Sequence, residues 1–245
     1  MFLRPLLVAA LALAGAVPAT GDAGGPRPDV SYRLGLLVRG PEWTAGRTPR
    51  SDSIQAGHMA NIGRMWEHGV LVAAGPFVNG GALRGVFVFR PGDDPLDSLM
   101  AGDPAIASKR LECRIHRWLA PAGIGEDYRR RAGVVARTGE GTLDSMVSFG
   151  WVMLERGPRR GGGARSAEPE LGERHRAWAE KLRASGRLVF AGPVEGSDEL
   201  LGVLVMNGDS ADVARLVAGD PAVRAGHLQP RVLRWWTAFG NIPGH

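Results

Sequence analysis

Four side chains have the types and spacing for acid–base chemistry: His58 with Asp103, and His175 with Asp220. A carboxylate that orients an imidazole fixes its tautomer and stabilises the protonated ring, which makes the pair a general base. His58, Ile62, Met65 and Trp66 share one helical face, as do His175, Trp178, Ala179 and Leu182, so both imidazoles should point toward a sheet. A core histidine satisfied by a backbone carbonyl is the alternative for each. Each aspartate precedes a proline, in Asp103-Pro104 and Asp220-Pro221. That is the pattern of an N-cap carboxylate followed by Pro at the first helical position, a role compatible with holding an imidazole. Gly75-Pro76 and Gly192-Pro193 read as turns at strand ends, and Trp118 and Trp235 as core or pocket wall. These six residues are the candidate pocket lining. The Gly161-Gly162-Gly163 loop lacks the Gly-Lys-Ser/Thr ending of a phosphate cradle, and no His/Cys/Glu set has metal-ligand spacing. No metal site is expected from this spacing.

The four residues stand out because they recur. His58 and His175, Gly75-Pro76 and Gly192-Pro193, Asp103-Pro104-Ala105 and Asp220-Pro221-Ala222, and Arg117-Trp118 and Arg234-Trp235 all repeat at a spacing of 117. Residues 32–118 therefore align with 149–235 without a gap, a register that marks a duplication. His68, His116 and His227 have no counterpart at that spacing.

Within one copy, alternating apolar residues from Tyr32 to Arg39 predict a strand, and Ser53 to His68 a helix closed by Gly69. Val70–Ala74 and Val86–Phe89 read as strands, Pro95–Ala101 as a short helix, and Arg110–Trp118 as a last strand. The second copy follows the same order over Phe149–Arg156, Glu170–Ser185, Arg187–Ala191, Gly202–Met206, Ser210–Ala218 and Leu228–Trp235. The βαββαβ order is ferredoxin-like. The fold class is thus α+β, with two such repeats packed sheet to sheet, because Val86–Phe89 and Val203–Met206 are apolar at every position and need cover on both faces.

The first residues have the parts of an export signal: Arg4, an apolar run from Leu6 to Val17, and Val17-Pro18-Ala19 as a cleavage site. The expected organisation is a signal peptide over 1–19, a flexible segment over 20–31, the first repeat over 32–118, a linker over 119–148, the second repeat over 149–236, and a tail over 237–245. This implies a secreted or periplasmic protein without a membrane anchor after cleavage. It is not a lipoprotein, since the only cysteine is Cys113. A net charge of +5 carried by scattered arginines does not make the concentrated basic face of a nucleic-acid reader. The partner expected is a small molecule, and the chain a monomeric pseudo-dimer or a homo-oligomer.

The helix segment His58-Met-Ala-Asn-Ile62, the strand end Ala74-Gly75-Pro76-Phe77, the segment Asp220-Pro-Ala-Val-Arg-Ala-Gly226 and the closing Val232-Leu-Arg-Trp-Trp236 together resemble the YciI-like (YCII-related) family. The resemblance spans both repeats. It implies a dimeric α+β barrel and an active site at His58/Asp103 and His175/Asp220. Relatives include a dehydrochlorinase of a chlorinated hydroxyquinol and, by fold, muconolactone isomerase, which implies a cofactor-independent lyase or isomerase acting on a small cyclic or aromatic substrate. The other reading is a non-catalytic binding or scaffold module. The first copy departs from the pattern at Ala107-Ser108-Lys109 and Trp118-Leu119, so the second is expected to keep the better site.

Overall fold

The computed structural model describes residues 27–159 and 167–245. The expected signal peptide, most of the segment after it, and the Gly161–Gly163 loop lie outside those residues. The chain divides into two compact units.

The first-repeat unit comprises residues 31–116, 123–147 and 235–245. Strand β1 (Asp29–Arg39) pairs antiparallel with β3 (Leu83–Phe89), matching Leu34 with Val88 and Leu36 with Val86. Strand β2 (Leu71–Pro76) pairs with the other edge of β3, and β4 (Leu111–Pro121) follows β1, giving the order β2-β3-β1-β4. Helix α1 (Pro49–Glu67) starts four residues before the expected Ser53. Thr48 and Ser51 form a reciprocal capping box, in which Ser51 takes the place usually held by Glu or Gln. Helix α2 (Leu96–Ala101) is followed by the one-turn α3 (Pro104–Ala107), and Leu37, Met65, Leu71, Phe87, Phe89, Leu96 and Met100 form the core beneath them.

Two segments differ from expectation here. The supposed linker contains a 13-residue helix, α4 (Glu126–Thr138), entered and left through Gly125 and Gly139 in the left-handed conformation. Gly125 supplies no side-chain cap, so Glu126 and Asp127 in the first turn are the start signal the sequence offers, beside an arginine run that reads as solvated charge. The helix is anchored nonetheless: the Tyr32 hydroxyl accepts from the Gly123 and Ile124 amides, and Arg129 lies over the Trp66 ring. The supposed tail is also ordered into this unit. Thr237 donates to the Ala74 carbonyl at 2.9 Å, Gly125 N–H to the Asn241 carbonyl at 2.8 Å, and Ile242 is fully buried.

The second-repeat unit comprises the described residues of 148–234, with 117–122 and 27–30. Its strands are β5 (Met146–Arg156), β6 (Leu188–Glu195), β7 (Leu200–Met206) and β8 (Leu228–Ala238), ordered β6-β7-β5-β8. Its helices are α5 (Ala167–Ala184), α6 (Ser210–Ala218) and α7 (Pro221–Arg224). The end of β4 adds to this unit through Arg117↔Glu195 and Trp118↔Val194. Val86–Phe89 and Val203–Met206 are buried at every position, as their composition requires. Lys109 takes φ 56° where the second repeat has Gly226 at φ 75°. A side chain in that conformation costs about 1 kcal/mol. Among the described residues no helix is long and apolar enough to cross a membrane.

Candidate active site

Each repeat brings its histidine and its aspartate together. His58 lies on the buried face of α1 with Asn61 and Met65. Asp103 caps α3, its Oδ1 accepting from the Ala105 amide at 2.9 Å. Gly57 permits this approach, because a Cβ there would come within 2.7 Å of Pro104 Cγ. His58 Nδ1 then sits 2.9 Å from both carboxylate oxygens of Asp103. In the second repeat Asp220 caps α7 through the Ala222 amide at 2.9 Å, and His175 Nδ1 lies 2.9 and 2.8 Å from its two oxygens. The cap and the imidazole partner are one carboxylate in both repeats.

With the carboxylate ionised, Nδ1 must carry the proton it donates, which leaves the Nε2 lone pair to accept one. Nε2 makes no hydrogen bond in either repeat among the described residues.

The surroundings of the two pairs differ. Asn61 Nδ2 donates to Asp103 Oδ2 at 3.1 Å and is itself oriented by Arg64, which donates to its Oδ1 at 3.0 Å. His58 stacks on Phe87 at 5.8 Å. In the second repeat Trp178 replaces Asn61 and stacks on His175 at 5.7 Å. Burial alone would raise the Asp103 carboxyl, but the hydrogen bond and charge of His58, with the donors of Asn61 and Ala105, hold it below the usual carboxylate range. Asn61 lies three residues after His58 on the same helix face, but it occurs in one repeat only, so the repeat spacing left it unmarked.

Neither pair is open to solvent. His58 is 6% exposed and His175 3%, and both aspartates are fully buried. The six candidate pocket residues are buried core residues or strand residues. Trp118 and Trp235 are completely buried, as core. Gly75-Pro76 and Gly192-Pro193 lie within β2 and β6, not in turns. Their glycines are demanded by close backbone approach: a Cβ on Gly75 would sit 1.7 Å from the Trp236 carbonyl oxygen, and one on Gly192 1.7 Å from that of Leu119. A cavity of about 330 Å³ is lined by Arg130, Arg131, Val134, Val135, Glu140, Gly141 and Thr142, none of them a candidate site residue. The described residues contain no group of three or more His, Cys, Asp or Glu able to hold a metal.

Cys113 is no nucleophile. Burial, with the charges of Asp103 and Asp97, pushes its thiol up to about 12.

Residues 159–237 match the YCII-related domain family. No curated protein matches the chain. Among solved structures, a heme-binding protein from Thermus thermophilus is similar at 14% identity and a TM-score of 0.50, covering 93% of this chain and 97% of its own. A chlorite dismutase variant from Candidatus Nitrospira defluvii is similar at 10% identity and a TM-score of 0.52, covering 86% and 92%. A second variant of that enzyme, in complex with cyanide, has 11% identity and a TM-score of 0.51, with 86% and 91% covered. At these identities the likeness is one of fold: α+β, two ferredoxin-like units in one chain, the dimeric α+β barrel class.

Proposed function

From a chain whose second repeat is a YCII-related domain and whose first repeat is its copy, we propose an acid–base catalyst of small cyclic or aromatic substrates, a lyase or isomerase without a cofactor. One observation carries this reading: the same imidazole–carboxylate pair, bonded through Nδ1 at 2.8–2.9 Å, has been kept in both copies. Proton abstraction next to a carbonyl or a leaving group needs a base held in one tautomer, and Asp103 and Asp220 hold it. In a double-bond shift each Nε2 would take the proton and return it at the new carbon; in an elimination the leaving group departs with the C–X electron pair and the proton passes from Nε2 to solvent. Export to a secreted or periplasmic location belongs to the same proposal and rests on residues 1–19.

The heme of the Thermus protein does not fit these residues. An axial imidazole needs a free ring edge facing a broad cavity, whereas His58 and His175 are nearly sealed and already stacked on Phe87 and Trp178. No step is routed through such a group.

The burial of both pairs favours a second reading, in which each is a tie between helix and cap within a binding or scaffold module. A thermal-shift screen of cyclic ketones, lactones and halogenated phenols separates the two. The catalytic reading expects a ligand whose stabilisation disappears in the H58Q/H175Q double variant and whose ring protons exchange with solvent in the wild type. Stabilisation retained in the double variant, with no proton exchange, would leave the tie.

A further inference from the structure

Trp43, in the loop after β1, is ringed by guanidinium groups. The Cζ atoms of Arg39, Arg84 and Arg110 lie 5.2, 4.9 and 4.7 Å from its ring centroid. Like charges gathered around one ring repel one another. An exposed aromatic face returns about 0.5–1 kcal/mol per cation, which makes the cluster tolerable but not neutral. Other arginines have acids to answer them: Arg90 pairs with Asp94, Arg130 with Asp127, and Arg183 with Glu180. Arg39, Arg84 and Arg110 have none among the described residues, and the exposed Glu42 of the same loop makes no ion pair there.

The donors of the cluster are unequally committed. Arg110 is fixed by bonds to Thr44 Oγ1 and the Thr44 carbonyl, at 2.6 and 2.7 Å. Arg84 gives one long bond to the Gly81 carbonyl, at 3.3 Å, and the Arg39 side chain gives none among the described residues. The Trp43 indole N–H is buried without an acceptor. The fold does not require this arrangement. At the spacing of 117, the second repeat has Arg156, Leu201 and His227, and Arg156 is tied to the Asp198 carbonyl at 2.6 Å.

We propose that this cluster is a binding site for the phosphoryl group of a small molecule. Arg39 and Arg84 offer free donor edges, and Arg110 with Trp43 forms the platform that holds them. Guanidinium edges match a phosphate in charge and in paired donor geometry. The site is independent of the histidine–aspartate pairs.

The test uses the full chain and inorganic phosphate, titrated by calorimetry at constant ionic strength. Saturable binding is expected, weakened about tenfold or more in R39Q/R84Q. R84L, which installs the second-repeat residue, should weaken it about threefold or more, and R156Q, which also removes one positive charge, should leave it unchanged. Absence of saturable binding would overturn the proposal. So would an equal loss in R156Q, which would reduce the effect to net charge. Adsorption to phosphatidylglycerol vesicles without saturable phosphate binding would also overturn it, by assigning the cluster to a membrane surface.

Discussion

Asp103 and Asp220 do two jobs with one carboxylate each, and the jobs can be separated by substitution. Replacing Asp103 with Ala strands the His58 Nδ1, the Asn61 amide and the Ala105 N–H in a buried site, at a cost of about 3–5 kcal/mol. Asp220→Ala strands His175 and Ala222 only, and should cost less. Urea unfolding of the two variants checks the order. The acid limb provides a further check at the same residue. The folded-state pKa of Asp103 is depressed, so its contribution is present above the ordinary carboxylate range and is lost as pH falls through the folded value. Asp103→Asn should therefore flatten the acid limb of the stability profile, and an unchanged limb would contradict the assignment. The pairing itself was legible in the sequence, because the constant spacing singled out two of six histidines. Asn61 was not, since a residue kept in one copy leaves no such mark.

Among the elements, those with strong local signals were readable and those fixed by distant backbone were not. Strands β3 and β7 announce themselves through the apolar runs Val86–Phe89 and Val203–Met206, and helix α6 matched its expected bounds of Ser210–Ala218. The glycines of β2 and β6 read as turn residues because Gly-Pro usually marks one. Their real constraint is a carbonyl from a strand end remote in sequence: Trp236 beside Gly75, and Leu119 beside Gly192. No local pattern encodes that approach. Gly192→Ala must push the Leu119 backbone aside and should destabilise by about 3 kcal/mol or more, measured as a lowered urea midpoint. Gly196→Ala is a poor control despite open space, because its φ of 72° is itself strained for alanine, whereas Gly63→Ala meets nothing in mid-helix and should be neutral or stabilising.

At the scale of the whole molecule, duplication is both what made the fold legible and what the functional account depends on. The two copies hold the same imidazole–carboxylate geometry and the same Asp-Pro-Ala cap, while the ring neighbours have changed, Asn61 to Trp178 and Phe87 to Leu204. The accessibility of the pair was the part that spacing could not supply. Helical periodicity says that His58 and His175 face a sheet, but only packing says how completely they are covered. The central claim is that both repeats carry one device, an imidazole held by its aspartate so that Nε2 is the basic nitrogen. Long-range proton–nitrogen NMR correlation, recorded where the histidine rings are neutral, tests it most directly, since a neutral imidazole reports its tautomer. His58 and His175 should both appear as the Nδ1–H tautomer, and each should lose that preference when its own aspartate is replaced by Ala. An Nε2–H tautomer in either ring would contradict the account.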